Sequence, residues 1–62
     1  MDKDYLSEQY RLTVLDFKLA QSADQAWDAR KQLAKLEELI LVTYGDAFRQ
    51  EVREKYLPLI EK

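Results

Sequence analysis

The chain lacks two residue types that carry much of enzyme chemistry, because it contains no cysteine and no histidine. Cysteine supplies the thiolate nucleophile, and histidine is the commonest general acid and base. Structural zinc sites draw on the same two residues. The sequence also has no aspartate-rich loop with the spacing of a calcium site. We therefore expect no enzyme activity, no metal, no cofactor and no small-molecule substrate.

Helix-breaking residues and long apolar runs are also scarce. The sequence holds one glycine and one proline, so it cannot form a glycine-rich loop that cradles phosphate. No apolar run approaches the ~18 residues that a membrane-spanning helix needs, and the polar amino terminus, MDKDYLSEQ, does not resemble a signal peptide. The net charge of -2 gives no general attraction to nucleic acid or anionic lipid. These features predict a cytoplasmic protein that does not bind membranes.

The remaining composition is typical of an ordered helical domain. Of the 62 residues, 47% are hydrophobic and 35% are charged, which argues against disorder. A chain this short buries only about 60% of the surface that its unfolded form exposes. Disulfides, a metal or a partner subunit usually supplement so small a core. Since the composition argues against the first two, we expect a homo-oligomer, in the simplest case a dimer, or docking on another protein.

Capping signals divide the chain into three helices. Ser22 and Gln25 have the spacing of a capping box. Gly45 is expected to end the second helix, and Asp46 to cap the third. Pro58 disfavours helical geometry at the residue before it. The expected elements of this single domain, residues 1–62, are helices at about 4–20, 23–44 and 47–57 and a tail at 58–62.

Apolar residues at steps of three and four give the second helix one continuous stripe. Its members are Ala26, Ala29, Leu33, Leu36 and Ile40. A matching stripe on the first helix consists of Tyr5, Leu12, Leu15 and Leu19. If the chain turns back at Ser22, large side chains of one stripe face small ones of the other near the turn. The sequence thus predicts an all-α fold, an antiparallel helical hairpin followed by a short third helix.

Each long helix also carries a second apolar stripe, which a lone hairpin would leave in water. On the first helix it consists of Leu6, Tyr10, Val14 and Phe17, and on the second of Trp27, Ala34 and Leu41. The third helix is about 16 Å long, whereas Trp27 lies about 25 Å from Gly45 at the rise of a helix. We therefore expect the third helix to cover Leu41, and at most to reach Ala34, but not Trp27.

Two arrangements of Trp27 remain open. In one, Trp27 packs against Phe17 across the end of the hairpin, as aromatic pairs often do. In the other, the second stripes form a patch larger than monomers usually expose, and a two-fold dimer of hairpins buries it in a helical bundle. That layout is similar in outline to small RNA-binding regulators that are dimers of helical hairpins, although the third helix departs from them. The expected residues of the partner or self-interface are Tyr10, Val14, Phe17, Trp27, Ala34 and Leu41.

The alternative is a small dimeric nucleic-acid-binding regulator. Residues 10–19, YRLTVLDFKL, also alternate as a strand would, and a strand followed by two helices is the order of ribbon-helix-helix DNA-binding dimers. Against this, the helix that follows would be about twice the expected length, and the alternation slips within the strand. The cationic residues that could contact phosphate are Lys31, Lys35, Arg49 and Arg53. Acidic residues interleaved with them weaken that attraction.

The leading hypothesis is a small non-catalytic helical protein, with a regulatory or protein-protein interaction role. It would act by self-association and by docking through the second stripes, since apolar helix faces are a common means of protein recognition. Trp27, Phe17 and Tyr10 are the expected anchors, because aromatic side chains dominate the energetics of interfaces.

Overall fold

The computed structural model describes residues 2–60, of which 88% are helical and none lies in a strand. Three helices pack compactly, within 32 × 20 × 16 Å. The elements are α1 at Lys3–Lys18, α2 at Ala23–Tyr44, α3 at Asp46–Tyr56 and a 3-10 turn at Leu57–Leu59. The expected all-α class is confirmed. The ribbon alternative for residues 10–19 is wrong, because this segment lies in α1 and its C-cap. Residues 61 and 62 of the predicted tail lie outside the described residues.

Side chains cap the starts of the two long helices. At α1, the Asp2 carboxylate accepts a hydrogen bond from the Tyr5 backbone N–H at 2.7 Å. At α2, the Ser22 hydroxyl accepts from the Gln25 N–H at 3.2 Å, as the capping-box spacing predicts. The Gln25 side chain in turn accepts from the Gln21 N–H at 2.9 Å. These bonds satisfy backbone donors that a helix start leaves free and fix the linker against the first turn of α2.

The end of α1 comes at Lys18, two residues before the expected end. Leu19 has φ -94° and ψ 5° and donates its N–H to the Leu15 carbonyl at 2.9 Å. The Ala20 N–H then donates to the Phe17 carbonyl at 3.3 Å, a tighter turn than that of an α-helix. Residues 19–21 then connect this end of α1 to the Ser22 cap of α2.

Gly45 separates α2 from α3 and serves both helices. Its φ of 96° and ψ of 174° belong to a region that is open almost only to glycine. Its N–H donates to the carbonyls of Ile40 and Leu41, at 3.2 and 3.0 Å, so the predicted C-cap is confirmed. Asp46 was expected to cap α3 but is instead its first residue, because Gly45 occupies the N-cap position.

Pro58 lies within the 3-10 turn that ends the helical part of the chain. α3 ends at Tyr56, one residue before the expected end, and Leu57 is its C-cap. The proline ring disfavours further α-helix at the preceding residue and removes a backbone donor. The turn closes with a hydrogen bond from the Ile60 N–H to the Leu57 carbonyl at 3.0 Å, which brings Leu57, Leu59 and Ile60 against the core.

The core contains the expected face of α2 but the opposite face of α1. Among the described residues, the buried side chains are Leu6, Tyr10, Val14, Ala29, Leu33, Ile40 and Val52. Ala29, Leu33 and Ile40 belong to the predicted stripe of α2. In α1, by contrast, the predicted seam is wrong: Tyr5, Leu12 and Leu19 are 51%, 42% and 71% exposed.

The third helix explains why α1 turns this face inward. α1 packs against α2, α3 and the 3-10 turn, so its buried face must serve several neighbours. The Tyr10 and Tyr56 rings are 6.3 Å apart, and the Ser7 and Tyr56 hydroxyls are hydrogen bonded at 3.2 Å. Only the face with Leu6, Ser7 and Tyr10 offers these contacts, since residues three and four apart share one side of a helix.

Candidate functional site

Trp27 is the largest apolar side chain on the described surface, with 59% of its area exposed. It lies in the second turn of α2, beyond the Ser22 cap. The ammonium group of Lys31, one turn further on, lies 6.0 Å from the centre of the indole ring. Tryptophan is highly buried on average in folded proteins, whereas more than half of Trp27 remains exposed, so its own chain does not shelter this residue.

Two further apolar residues continue the same face of α2. Ala34 is exposed and Leu41 is 41% exposed. Positions seven residues apart drift by only about 20° around a helix, so these three side chains form one straight line. They lie about 120° around the axis from the buried Leu33 and Ile40. We call Trp27, Ala34 and Leu41 the outer stripe of α2.

The segment LILV at residues 39–42 follows the same division. Ile40 is fully buried and Leu39 packs partly against the core, whereas Leu41 and Val42 are 41% and 79% exposed. The third helix was expected to cover Leu41, but it leaves much of that side chain in solvent. The reason is that α3 contacts α2 on the side that carries Glu37. The direction of Glu37 differs by about 40° around the helix from that of Leu41.

A groove of about 270 Å³ runs beside the outer stripe at Ala34. Its apolar walls come from α1, α2 and the carboxyl-terminal turn, namely Phe17, Leu33, Ala34, Leu57 and Ile60. Its polar edge is formed by Arg30, Glu37 and Arg53. The structure therefore brings together Phe17 and Ala34, two of the predicted interface residues, along one continuous apolar surface.

An ion pair between α2 and α3 closes the polar edge of this groove. The Arg53 guanidinium donates a hydrogen bond to the Glu37 carboxylate, whose side chain is only 17% exposed. The hydrogen bond and the charge of Glu37 raise the pKa of Arg53. This pair fixes α3 beside α2, and sequence reasoning missed it because the two residues are 16 positions apart.

Tyr10 lies beneath the same ion pair. Burial, followed by the negative charge of Glu37, raises the pKa of Tyr10 to about 12. Among the described residues, no atom meets the distance and angle criteria of a hydrogen bond to its hydroxyl, although the Glu37 carboxylate lies near it. Tyr10 is thus held as a neutral phenol inside the core.

Two of the six predicted interface residues are enclosed within the chain. Tyr10 and Val14 are both 0% exposed and cannot join an exposed patch with Trp27. They fill the space between α1, α2 and α3 instead, because α1 turns this stripe toward its neighbours. Phe17, which belongs to the same stripe, is partly buried and lines the groove beside Ala34.

A second exposed stripe, on α1, was not expected. It consists of Tyr5, Leu12 and Leu19, which were assigned to the helix seam and remain largely in solvent. The signal in the sequence is their spacing of seven residues, the same as that of the outer stripe of α2. A spacing of seven marks a line along a helix but does not say which of two such lines faces inward.

The candidate phosphate-binding residues are largely engaged within the chain. Arg53 pairs with Glu37, and Arg49 pairs with Asp46 at 2.7 Å. Lys31 lies 4.0 Å from Asp28. Lys35 is exposed. A nucleic-acid surface needs several cations directed at phosphates, and the two arginines here are directed at carboxylates.

A cleft with a mixed polar and apolar lining lies near the link between α1 and α2. It measures about 410 Å³, and its lining includes Thr13, Asp16, Gln25, Asp28 and Gln32. Between residues 2 and 60, no three acidic side chains come together as a metal-binding group. The two aspartates that line the cleft are exposed, as expected of solvated helix surfaces.

No helix between residues 2 and 60 has both the length and the apolar character needed to cross a bilayer. Comparisons of the whole chain with protein-family models, with curated proteins and with solved structures found no match.

Proposed function

We propose that this protein is a small, non-catalytic helical module that docks on other protein surfaces through the outer stripe of α2. The observation that carries the proposal is Trp27, which is 59% exposed at one end of a straight apolar line. Exposed apolar patches beside polar residues mark interaction sites, and tryptophan is among the commonest anchors of interfaces.

The arrangement of the helices supports this role. Helices α1 and α2 are joined by only four residues and pack against each other, and we propose that they form an antiparallel hairpin. α3 and the 3-10 turn cover one side of that pair. The outer stripe of α2 and the adjoining groove are left as a surface on which a helix of a second copy, or of another protein, fits.

The remaining parts of the proposal follow from the sequence. A chain without histidine or cysteine lacks the commonest catalytic bases and thiol nucleophiles, so we assign it no enzyme activity. A cytoplasmic location and a regulatory role by occlusion or scaffolding complete the proposal. Nucleic-acid binding is disfavoured, because Arg49 and Arg53 are paired with carboxylates.

The test compares two exposed residues of α2, one on the stripe and one off it. Trp27→Ala removes the anchor, whereas Val42→Ala removes a side chain that is even more exposed, at 79%, but lies about 80° around the helix from Ala34. Association is measured by sedimentation over a concentration series and by binding to proteins recovered with the wild-type chain. Circular dichroism checks that both variants fold.

We expect Trp27→Ala to abolish association and Val42→Ala to retain it. If both variants associate as the wild type does, or if both lose association equally, the outer stripe of α2 is not the docking surface.

A further inference from the structure

The charges that flank the outer stripe of α2 are not evenly distributed. Before Ala34 the charges beside the stripe are cationic, the exposed Arg30 and Lys31, and after it they are anionic, the largely buried Glu37 and the exposed Glu38. These four residues lie three or four positions from Ala34. At the angle of a helix they therefore lie beside the stripe, within about 60° of its centre. The face of α2 is therefore positive toward its amino-terminal half and negative toward its carboxyl-terminal half.

This distribution decides how two copies of α2 could pair. In a parallel pair the two-fold axis runs along the helices and brings opposite flanks together, so Lys31 lies beside Arg30 of the other copy and Glu38 beside Glu37, which is repulsive. In an antiparallel pair about a two-fold axis at Ala34, a residue three or four positions before Ala34 meets one three or four positions after it. Lys31 then meets Glu38 of the other copy on the same flank, and the contact occurs twice.

The apolar residues obey the same symmetry. Trp27 lies seven positions before Ala34 and Leu41 seven after it, so an antiparallel pair sets each indole ring against a leucine of the other copy. Ala34, the smallest of the three, meets itself on the axis, which lets the two helices approach closely. The exposures of 59% and 41% at Trp27 and Leu41 show that neither side chain is fully covered within its own chain.

The stripe on α1 does not have this property. A two-fold axis at Leu12 would set Tyr5 against Leu19, but the charged residues three or four positions away do not pair with opposite charges. Glu8 would face leucines of the other copy, and Asp16 would face its Gln9. The reason is that an antiparallel pair about a two-fold axis keeps each flank of the helix on its own side. Charge complementarity therefore singles out α2.

We propose that a second copy of this chain covers the outer stripe of α2, in an antiparallel α2–α2 pair about a two-fold axis at Ala34. The inference rests on the proposed docking function and names its partner. Lys31 is free to change partners, because its contact to Asp28 is long, at 4.0 Å, and its side chain is 56% exposed. Glu37 stays with Arg53, so Lys31 and Glu38 form the principal pair between copies.

The size of this contact sets the strength of the dimer. The line from Trp27 to Leu41 is about 21 Å long, and a helix is about 10 Å wide. Such a strip buries less than the roughly 800 Å² per partner of a standard interface. We therefore expect a weak, reversible dimer.

Charge reversal tests the pairing on the full chain. Lys31→Glu places two carboxylates together at both symmetric contacts, and Glu38→Lys places two ammonium groups together. Each single variant should weaken dimerisation in sedimentation equilibrium by about three- to tenfold, and the double variant should return within about twofold of the wild type. Lys35→Glu is the matched control: it changes the net charge by the same amount as Lys31→Glu but lies off the stripe, so its dimer should be unchanged.

Cross-linking tests the direction of the helices, because the chain has no cysteine of its own. When Lys31→Cys and Glu38→Cys chains are mixed and oxidised, an antiparallel pair gives disulfides between the two variants. Oxidation that gives no disulfides between the two variants would overturn the inference. Failure of the double reversal to restore the dimer would also overturn it.

The two proposals can fail separately. A wild-type chain that stays monomeric up to about 1 mM overturns the α2–α2 pair. If that monomer still binds an identified protein and Trp27→Ala abolishes the binding, the docking function stands without this partner. If a dimer forms and Trp27→Ala leaves it unchanged, both proposals are wrong.

Discussion

Arg53 of α3 donates a hydrogen bond to the largely buried carboxylate of Glu37 in α2. This contact lies above the Tyr10 hydroxyl and beside the groove that adjoins Ala34. It joins the core, the third helix and the candidate docking surface, so its removal should be felt in the stability of the whole fold.

Replacing Arg53 by alanine should lower the free energy of unfolding by about 1 kcal/mol, because it leaves a largely buried carboxylate without its partner. The arginine side chain is 40% exposed, which keeps the effect moderate. Arg49→Ala is the control: its partner Asp46 lies on the same helix and is 61% exposed, so the loss should be a few tenths of a kcal/mol. Urea unfolding followed by circular dichroism measures both. Equal losses would show that the pair between helices adds nothing special.

Tyr10→Phe should leave the protein as stable as the wild type or more stable, by up to about 1 kcal/mol. The hydroxyl is buried, and no described residue forms a hydrogen bond of good geometry with it. Burying an unpaired hydroxyl is costly. Thermal and urea unfolding measure the change. A loss of more than about 1 kcal/mol would indicate that the hydroxyl has a strong partner, of which the Glu37 carboxylate is the nearest candidate.

The same residue predicts how stability depends on pH. Burial and the charge of Glu37 raise the pKa of Tyr10 to about 12, whereas a tyrosine in an unfolded chain has a pKa near 10. Between about pH 10 and pH 12 the unfolded chain has released this proton and the folded chain still holds it. Stability is therefore fully present below pH 10 and falls as the pH rises through this window.

The Tyr10→Phe variant should show a shallower fall between pH 10 and pH 12. The three other tyrosines are present in both proteins, so the difference between the two curves belongs to Tyr10. Parallel curves would mean that Tyr10 titrates as it does in the unfolded chain.

Leu6 and Leu12 test which face of α1 is buried, since they are the same residue type in the same helix. Leu6 is 1% exposed and Leu12 is 42% exposed. Leu6→Ala should cost about 2–5 kcal/mol, and Leu12→Ala less than about 1 kcal/mol. Chemical unfolding of the two variants gives the comparison. The reverse order would restore the seam that the sequence pattern indicates.

Gly45→Ala should lower stability by about 1–3 kcal/mol, because φ of 96° and ψ of 174° are unfavourable for a residue with a Cβ atom. A methyl group there would meet no atom within 4 Å, so the loss reports the backbone conformation alone. Gln50→Ala, at an exposed position in α3, is the control and should change little. A neutral Gly45→Ala would imply that the link between α2 and α3 adopts another conformation.

Much of this fold could be predicted because its helix boundaries depend on local chemistry. Ser22, Gly45 and Pro58 each act on backbone atoms within five residues, so their effects can be recognised without knowing the fold. The buried face of α2 was also predictable, since Ala29, Leu33 and Ile40 continue one stripe.

The buried face of α1 could not be chosen in the same way. Its two apolar stripes are similar in length and spacing, and the choice between them depends on α3, through Tyr56 and the contacts of Tyr10 and Ser7. The wrong choice placed Tyr10 and Val14 at the candidate interface. Trp27 is exposed as the length of the third helix predicts, whereas Leu41 was expected to be covered and is 41% exposed.

The fluorescence of Trp27 tests most directly whether a second copy covers the outer stripe of α2, because it is the chain's only tryptophan. Its emission and its quenching by acrylamide are followed from about 1 µM to about 1 mM protein. The account predicts that emission moves to shorter wavelength and quenching weakens as concentration rises, and that Lys31→Glu moves this transition to higher concentration. Emission and quenching that stay constant over the whole range, with the indole accessible throughout, would contradict it.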